Sequence, residues 1–291
     1  DGDKYVIRDH ANFSDGLSVG PASGPGQDQS NGNDVPSTAF LGNISTRGHV
    51  APGEERLIAG FVIDGDSPKK VAIRARATTL EQQGLSNVLA DPVIELYRGQ
   101  TRLSTNDDWR SDQGEALPAY LEPEGVLDAA MVRTLPPGAY TVIVSGYEGL
   151  AGRAIVSVNE LGGDDSWLKN ISTRGRVGHG NDRLIAGLIV DGAGRQKVVI
   201  RGLGQTLADR GVPGALLDPH LTIYAGRTVI AANDNWQDHP RATEVVAAGL
   251  APAGPLDAAV MLDLEPGAYT AVLEGASATE GLGIVGAQIA P

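Results

Sequence analysis

The chain has no cysteine among its 291 residues. That removes disulfides, thiolate metal sites and cysteine nucleophiles, and leaves the redox compartment without influence on folding. Aromatic residues make up only 4%, with three Phe and three Trp, so a binding face built from many exposed rings is not on offer. Positive charge is also short. Against 36 Asp and Glu stand 23 Lys and Arg, a formal charge of −13, and that sign repels nucleic acid and anionic membrane surfaces. No apolar run approaches the roughly 18 residues of a membrane span, so the expectation is a soluble chain with no nucleic-acid partner and no membrane insertion. The chain opens at Asp1 without a basic-plus-apolar leader, so either a leader has been removed or the chain has been trimmed. What it has in quantity is Gly, 39 residues, and Pro, 17. Such a turn-rich composition suits β-rich extracellular modules, and secretion to the cell surface or beyond is the expected localisation.

A duplication organises the sequence. Asn43-Ile44-Ser45-Thr46-Arg47-Gly48 recurs as Asn170-Ile171-Ser172-Thr173-Arg174-Gly175, an offset of 170 − 43 = 127. The same offset carries Leu57-Ile58-Ala59-Gly60 onto Leu184-Ile185-Ala186-Gly187 and Asn106-Asp107-Asp108-Trp109 onto Asn233-Asp234-Asn235-Trp236. Roughly 31 of the 67 positions from 43 to 109 are identical to their partners, which marks a tandem repeat. A two-residue insertion then moves the offset to 129, pairing Pro137-Gly138-Ala139-Tyr140-Thr141 with Pro266-Gly267-Ala268-Tyr269-Thr270. Units of about 120 residues are too long for a solenoid repeat and long enough for a core each.

Within a unit the apolar pattern is short and strand-like: Leu57 to Asp64, Val71 to Arg76, Val93 to Arg98, Ala129 to Arg133, Ala139 to Ser145 and Ala154 to Asn159. Gly65, Gly99 and Pro137-Gly138 punctuate the gaps, and only Thr79 to Leu89 and its copy Thr206 to Leu216 suit a helical turn. Many short strands without a βαβ rhythm predict an all-β fold of two tandem antiparallel, jelly-roll-like β-sandwiches. Leu57, Ile58, Val71, Ile73, Leu96, Tyr97, Tyr140 and Val142 and their copies are the expected core. The expected layout is an N-terminal extension and linker over 1–39, one sandwich over 40–162 and a second over 163–291. In the extension, Lys4 to Arg8 and Phe13 to Val19 read as strands, whereas Gly20 to Ser37 has linker composition.

Chemistry is concentrated in one loop and its copy. Asn106, Asp107 and Asp108, with Asn233 and Asp234 in the second unit, offer the short oxygen side chains that Ca²⁺ needs for its six to eight ligands. Asp91 and Asp218, each followed by Pro, could add carboxylates. A turn in which these side chains bond their own backbone accounts for them equally well. Trp109 and Trp236 could stack on a carbohydrate ring, yet a Trp at the same place in both units reads more naturally as a loop or core anchor. No nucleophile elbow, HExxH or paired-carboxylate motif occurs, so the chain reads as a non-enzyme. Asn12, Asn43 and Asn170 open formal glycosylation sequons, of which the latter two read as a turn inherited by duplication. Arg74 and Arg201 are expected to cover a sheet face or to pair with a carboxylate.

Asp91-Pro92 with Leu96-Tyr97, Asn106-Asp107-Asp108-Trp109, Leu135-Pro136-Pro137-Gly138-Ala139-Tyr140-Thr141 and Gly146 resemble the pattern of bacterial pre-peptidase C-terminal domains. Both copies fit, over residues 41–291. The resemblance implies a secreted β-sandwich without catalytic residues and, in some members, calcium at the Asn-Asp-Asp loop. The second copy departs from it, since Asn235 stands where the first has Asp108.

The functional expectation is a structural subunit of an extracellular filament or surface layer. Its N-terminal strand, with Tyr5, Val6, Ile7, Phe13, Leu17 and Val19 as contact residues, would pair with a sheet edge of a neighbouring copy. The alternative is an accessory binding module, carbohydrate- or calcium-dependent, of a larger secreted protein.

Overall fold

The computed structural model describes residues 40–162 and 165–290. The protein is all-β and antiparallel. Repeat 1 supplies β1 (Phe40–Val50), β2 (Leu57–Gly65), β3 (Lys69–Arg76), β4 (Pro92–Arg98), β5 (Thr101–Asn106), β6 (Ala129–Leu135), β7 (Gly138–Gly146) and β8 (Gly152–Leu161). Repeat 2 supplies β9 (Ser166–Val177), β10 (Leu184–Asp191), β11 (Gln196–Leu203), β12 (Pro219–Ala225), β13 (Thr228–Asn233), β14 (Ala258–Leu264), β15 (Gly267–Gly275) and β16 (Gly281–Ile289). Helical turns α1 (Thr78–Gln82) and α2 (Gln205–Asp209) fall where the sequence suggests, and α3 (Ala242–Ala247) occupies the segment that carries the two-residue insertion.

The pairings resolve into two ladders of eight strands. One runs β5-β4-β7-β2-β9-β16-β11-β14. The other runs β6-β3-β8-β1-β10-β15-β12-β13. Only the pair His49 and Arg176 bridges them. Each ladder takes four strands from each repeat, because the first strand of each unit pairs with the other unit: β1 lies between β8 of its own repeat and β10 of the next, and β9 lies between β16 and β2.

Alternation within strands aims one face of each ladder at the other. In β2, Leu57, Ala59, Phe61 and Ile63 are buried, and Val71, Ile73 and Ala75 of β3 belong to the same buried cluster. Ile58 and Tyr97, expected in the core, are only half-buried, because the two-residue period puts them on the opposite face from Leu57 and Leu96. One hydrophobic cluster runs from Leu41 and Phe61 through Leu184 to Leu273. A core for each unit was the expectation. Edge-to-edge joining of the repeats at β1 and β9 merges the two, and these strands contribute Ile44 and Ile171 to the shared interior.

The repeated hexapeptide lies at the centre of this junction, where β1 and β9 cross. Thr46 Oγ1 and Thr173 Oγ1, equivalent by the 127-residue offset, hydrogen-bond each other at 2.7 Å with both residues fully buried. Gly48 and Gly175 both face the side chains of Leu57 and Leu184, and a Cβ on either would come within 2.8 and 2.7 Å of Leu57 Cδ1. The hexapeptide is therefore a strand on a pseudo-twofold axis and not the turn inferred from its sequence. Asn43, the second sequon, is buried there.

A buried ion pair fastens the junction between repeats. Lys69, with no exposed surface, pairs with Glu160, donates to the Gly162 carbonyl at 3.0 Å, and Glu160 accepts the Leu168 amide at 3.3 Å. Burial pushes the Glu160 carboxyl up, against the pull of Lys69.

Candidate functional site

The outer hairpins β4-β5 and β12-β13 carry the oxygen-rich loops. Gly99 and Gly226 each turn their hairpin with φ of 58°, a left-handed conformation that glycine adopts without a Cβ penalty. At the far end of β5, Asn106 is buried and serves the fold: its Nδ2 donates to the Asp108 carbonyl at 2.8 Å and its Oδ1 accepts the Ala130 amide of β6 at 2.9 Å. Asn233 repeats both bonds, to Asn235 and from Ala259, each at 2.9 Å. These two amides tie the edge of one ladder to the edge of the other.

The carboxylates behave differently. Asp107 Oδ1 accepts the Asp108 amide at 3.0 Å, an Asx-type turn. Asp91 Oδ1 is buried with no hydrogen-bond donor. Burial, with Asp108 and Asp107 close by, raises its carboxyl above the usual range. In repeat 2, Asp218 Oδ1, Asp234 Oδ1 and Asn235 Oδ1 are all buried without a donor. Burial and the charge of Asp234 raise the Asp218 carboxyl, with His220 opposing. Acceptor oxygens buried without donors suit a cation. Among the described residues, no three His, Cys, Asp or Glu groups are already gathered into a metal cluster. The residues that fit are thus Asp91, Asp107 and Asp108 in one copy and Asp218, Asp234 and Asn235 in the other, with Asn106 and Asn233 committed to the backbone.

Beside the first loop lies a cleft of about 380 Å³ edged by Val93, Ser104, Asp107, Gln113, Arg133 and Tyr147. Arg133 makes a two-pronged pair with Asp112, at 2.8 and 2.7 Å, and donates to Ser104 Oγ at 2.5 Å. In the repeat frame Ser104, Arg133 and Tyr147 become Ala231, Leu262 and Ala276, so this polar cleft belongs to repeat 1. Trp109 is half-buried, donates through Nε1 to the Gly125 carbonyl at 3.1 Å, and lies under Arg110 with the guanidinium 4.5 Å from the ring centre. It anchors a loop.

Two carboxylates escaped the sequence reading. Asp128, 1% exposed, accepts the Ala77 amide at 2.9 Å and the Gly125 amide at 3.2 Å, and Asp257, fully buried, accepts the Gly204 amide at 2.7 Å and the Thr206 amide and hydroxyl. They hold the loops around α1 and α2. Their matched place in the 129-residue offset was the available signal. Arg74 and Arg201 pair with no carboxylate: Arg74 donates to the Leu121 carbonyl and Asn159 Oδ1, each at 3.1 Å, and Arg201 to the Leu250 carbonyl and Gln288 Oε1 at 3.4 Å. Burial lowers both guanidinium values. Tyr5, Val6, Ile7, Phe13, Leu17 and Val19 lie outside the described residues. No described helix is long and apolar enough to cross a membrane. No family model matches the chain, and no curated protein matches it.

Proposed function

We propose that the protein is a secreted, non-catalytic structural subunit that polymerises by lending its N-terminal strand to a neighbouring copy. Each repeat is read as a jelly-roll-like β-sandwich of the pre-peptidase C-terminal kind. The observation that carries the polymer reading is the division of labour within the chain. The strand-forming Lys4 to Val19 has no counterpart ahead of repeat 2, so a second unit of the same pattern does without it. A heterologous contact of this kind extends into a filament. Calcium is the cation the reading includes: where bound, it would meet the donor-less oxygens of Asp91, Asp218, Asp234 and Asn235, with Asp107 and Asp108 adding carboxylates in the first copy. Electron microscopy and sedimentation of the full chain beside a variant lacking residues 1–20 test the proposal. Filaments from the full chain and folded monomers from the variant support it. A full chain that stays monomeric at all concentrations, or a variant that assembles as before, defeats it.

The repeat-1 cleft favours a second reading, a carbohydrate-binding module. Arg133, Asp112, Gln113 and Ser104 present donors and acceptors beside the Tyr147 ring, a chemistry suited to sugar hydroxyls. Titration with neutral oligosaccharides, read as line broadening at Tyr147, separates it from the first.

A further inference from the structure

Each ladder ends in two outer strands, so four edges are in question. On β6 the Ala130 amide is taken by Asn106, and on β14 the Ala259 amide is taken by Asn233 while Arg241 reaches the Met261 carbonyl at 3.5 Å. Like β6 and β14, among the described residues β5 and β13 each pair with one strand, β4 and β12. Their exposure is the same position by position, and both carry a one-residue bulge, at Leu103 and Ile230. Only their side chains differ. β5 reads Thr-Arg-Leu-Ser-Thr-Asn, with Arg102 paired to Glu95 at 2.7 Å. β13 reads Thr-Val-Ile-Ala-Ala-Asn.

Three polar residues of β5, Arg102, Ser104 and Thr105, thus become Val229, Ala231 and Ala232 on an edge strand of equal exposure. Val229 is 53% and Ile230 40% exposed. Edge strands normally carry charge, because unpaired backbone beside apolar side chains templates the addition of another strand. An uncharged edge of this kind is what an acceptor needs: backbone groups for the ladder and apolar side chains for the incoming face.

We infer that β13 is the acceptor edge and that its occupant is Lys4 to Arg8 of a second copy, an inference that rests on the polymer reading above. The occupant is argued from three features. Lys4-Tyr5-Val6-Ile7-Arg8 is the one stretch of the extension combining strand-forming residues with positive charge. Its alternate side chains Tyr5 and Ile7 share one face of a strand, the apolar face that an uncharged edge receives. Finally, 39 residues precede Phe40, and the Gly20 to Ser37 linker alone spans up to about 60 Å when extended, enough to reach another molecule.

The chain's own lack of cysteine makes disulfide trapping the test. Chains carrying Tyr5→Cys are mixed with chains carrying Val229→Cys and oxidised, and a double variant carrying both is treated alone. Disulfide-linked dimers in the mixture and ladders of linked multimers from the double variant are expected. A monomeric, internally linked double variant overturns the inference, since it puts the segment on its own β13. In a second arm, Val229→Lys with Ile230→Lys should abolish assembly with the melting temperature held, whereas Leu103→Lys on β5 should leave it intact. Lysines on β13 that leave assembly unchanged, while removal of residues 1–20 abolishes it, refute the choice of edge and spare the polymer reading. A wild-type chain that never assembles defeats both.

Discussion

At the outer edge of repeat 1, Arg102 pairs with Glu95 and Arg133 with Asp112 around a polar cleft. At the outer edge of repeat 2, the matching positions hold Val229, Thr222, Leu262 and His239, without the two ion pairs. The centre is the reverse, with Thr46 facing Thr173 and Gly48 and Gly175 facing the same pair of leucines. A duplicated chain keeps what its partner copy touches, because a change there disturbs both halves at once. Its outer ends meet only solvent or other molecules and are free to specialise. The divergence therefore points away from the pseudo-twofold axis, to the first-repeat cleft and to β13, as the surfaces that distinguish the copies.

The largest expected break between the copies lies at the junction. Lys69 and Glu160 correspond to Gln196 and Ile289 in repeat 2, so only repeat 1 buries an ion pair. Lys69→Met leaves Glu160 buried without its cation, and removal of one partner from a buried pair costs about 3–5 kcal/mol. Gln196→Met in the same environment of repeat 2 should cost under about 1.5 kcal/mol, the effect of an ordinary core-edge swap. Denaturant titration measures both. Equal losses would mean that the junction pair contributes nothing particular to repeat 1. Because the ladders run continuously across both repeats over one core, unfolding should be a single transition in either variant; two resolved transitions would contradict the merged core.

The residues explain how far the sequence carried. The six strands per unit marked by alternating apolar residues, β2, β3, β4, β6, β7 and β8, are found where the pattern put them, and so are both helical turns. β1 and β9 were missed as strands because Asn-Ile-Ser-Thr-Arg-Gly has no apolar alternation. Its buried positions are satisfied by pairing with the other repeat, which a local reading cannot contain. The continuity of the ladders across the repeats was hidden for the same reason, since the partners of β1 and β9 lie far along the chain. At the loops, residue types alone could not divide Asn106 and Asn233, which bond backbone, from Asp91, Asp218 and Asp234, which each bury an Oδ1 without a donor. That division depends on which backbone amides arrive nearby, and those come from β6 and β14, more than twenty residues downstream.

A smaller effect tests the likeness at the centre. Thr46→Val leaves the Thr173 hydroxyl buried without its partner, at a cost of about 1–3 kcal/mol, and Thr173→Val should cost the same within error, as the pseudo-twofold symmetry requires. Replacing both removes two hydroxyls that bond only each other, so the double variant should be near neutral and the coupling energy of the cycle should be of the same order as the single losses. Clearly unequal single effects would show that the two strands are not equivalent.

The smallest effect is a pH signature of the repeat-2 loop. The folded carboxyl of Asp218 is raised above its ordinary value of 3.8 by burial and by Asp234. Between those two values the folded state holds more protons than the unfolded one, so stability falls as pH rises through the window, and above it the full penalty remains. Asp218→Asn removes that carboxylate. The variant should be slightly more stable than the parent at pH 7 in chelator, and its advantage should shrink to nothing as pH falls below about 3.8, where the parent is protonated in both states. Added Ca²⁺ should reverse the order at pH 7, because an ion that binds only the folded parent raises its stability by mass action. Thermal melts at the two pH values, with and without calcium, read all four conditions. If the parent gains nothing from calcium while the chelator difference stands, the Asp218 penalty is a plain cost of burial and the calcium part of the functional reading is withdrawn.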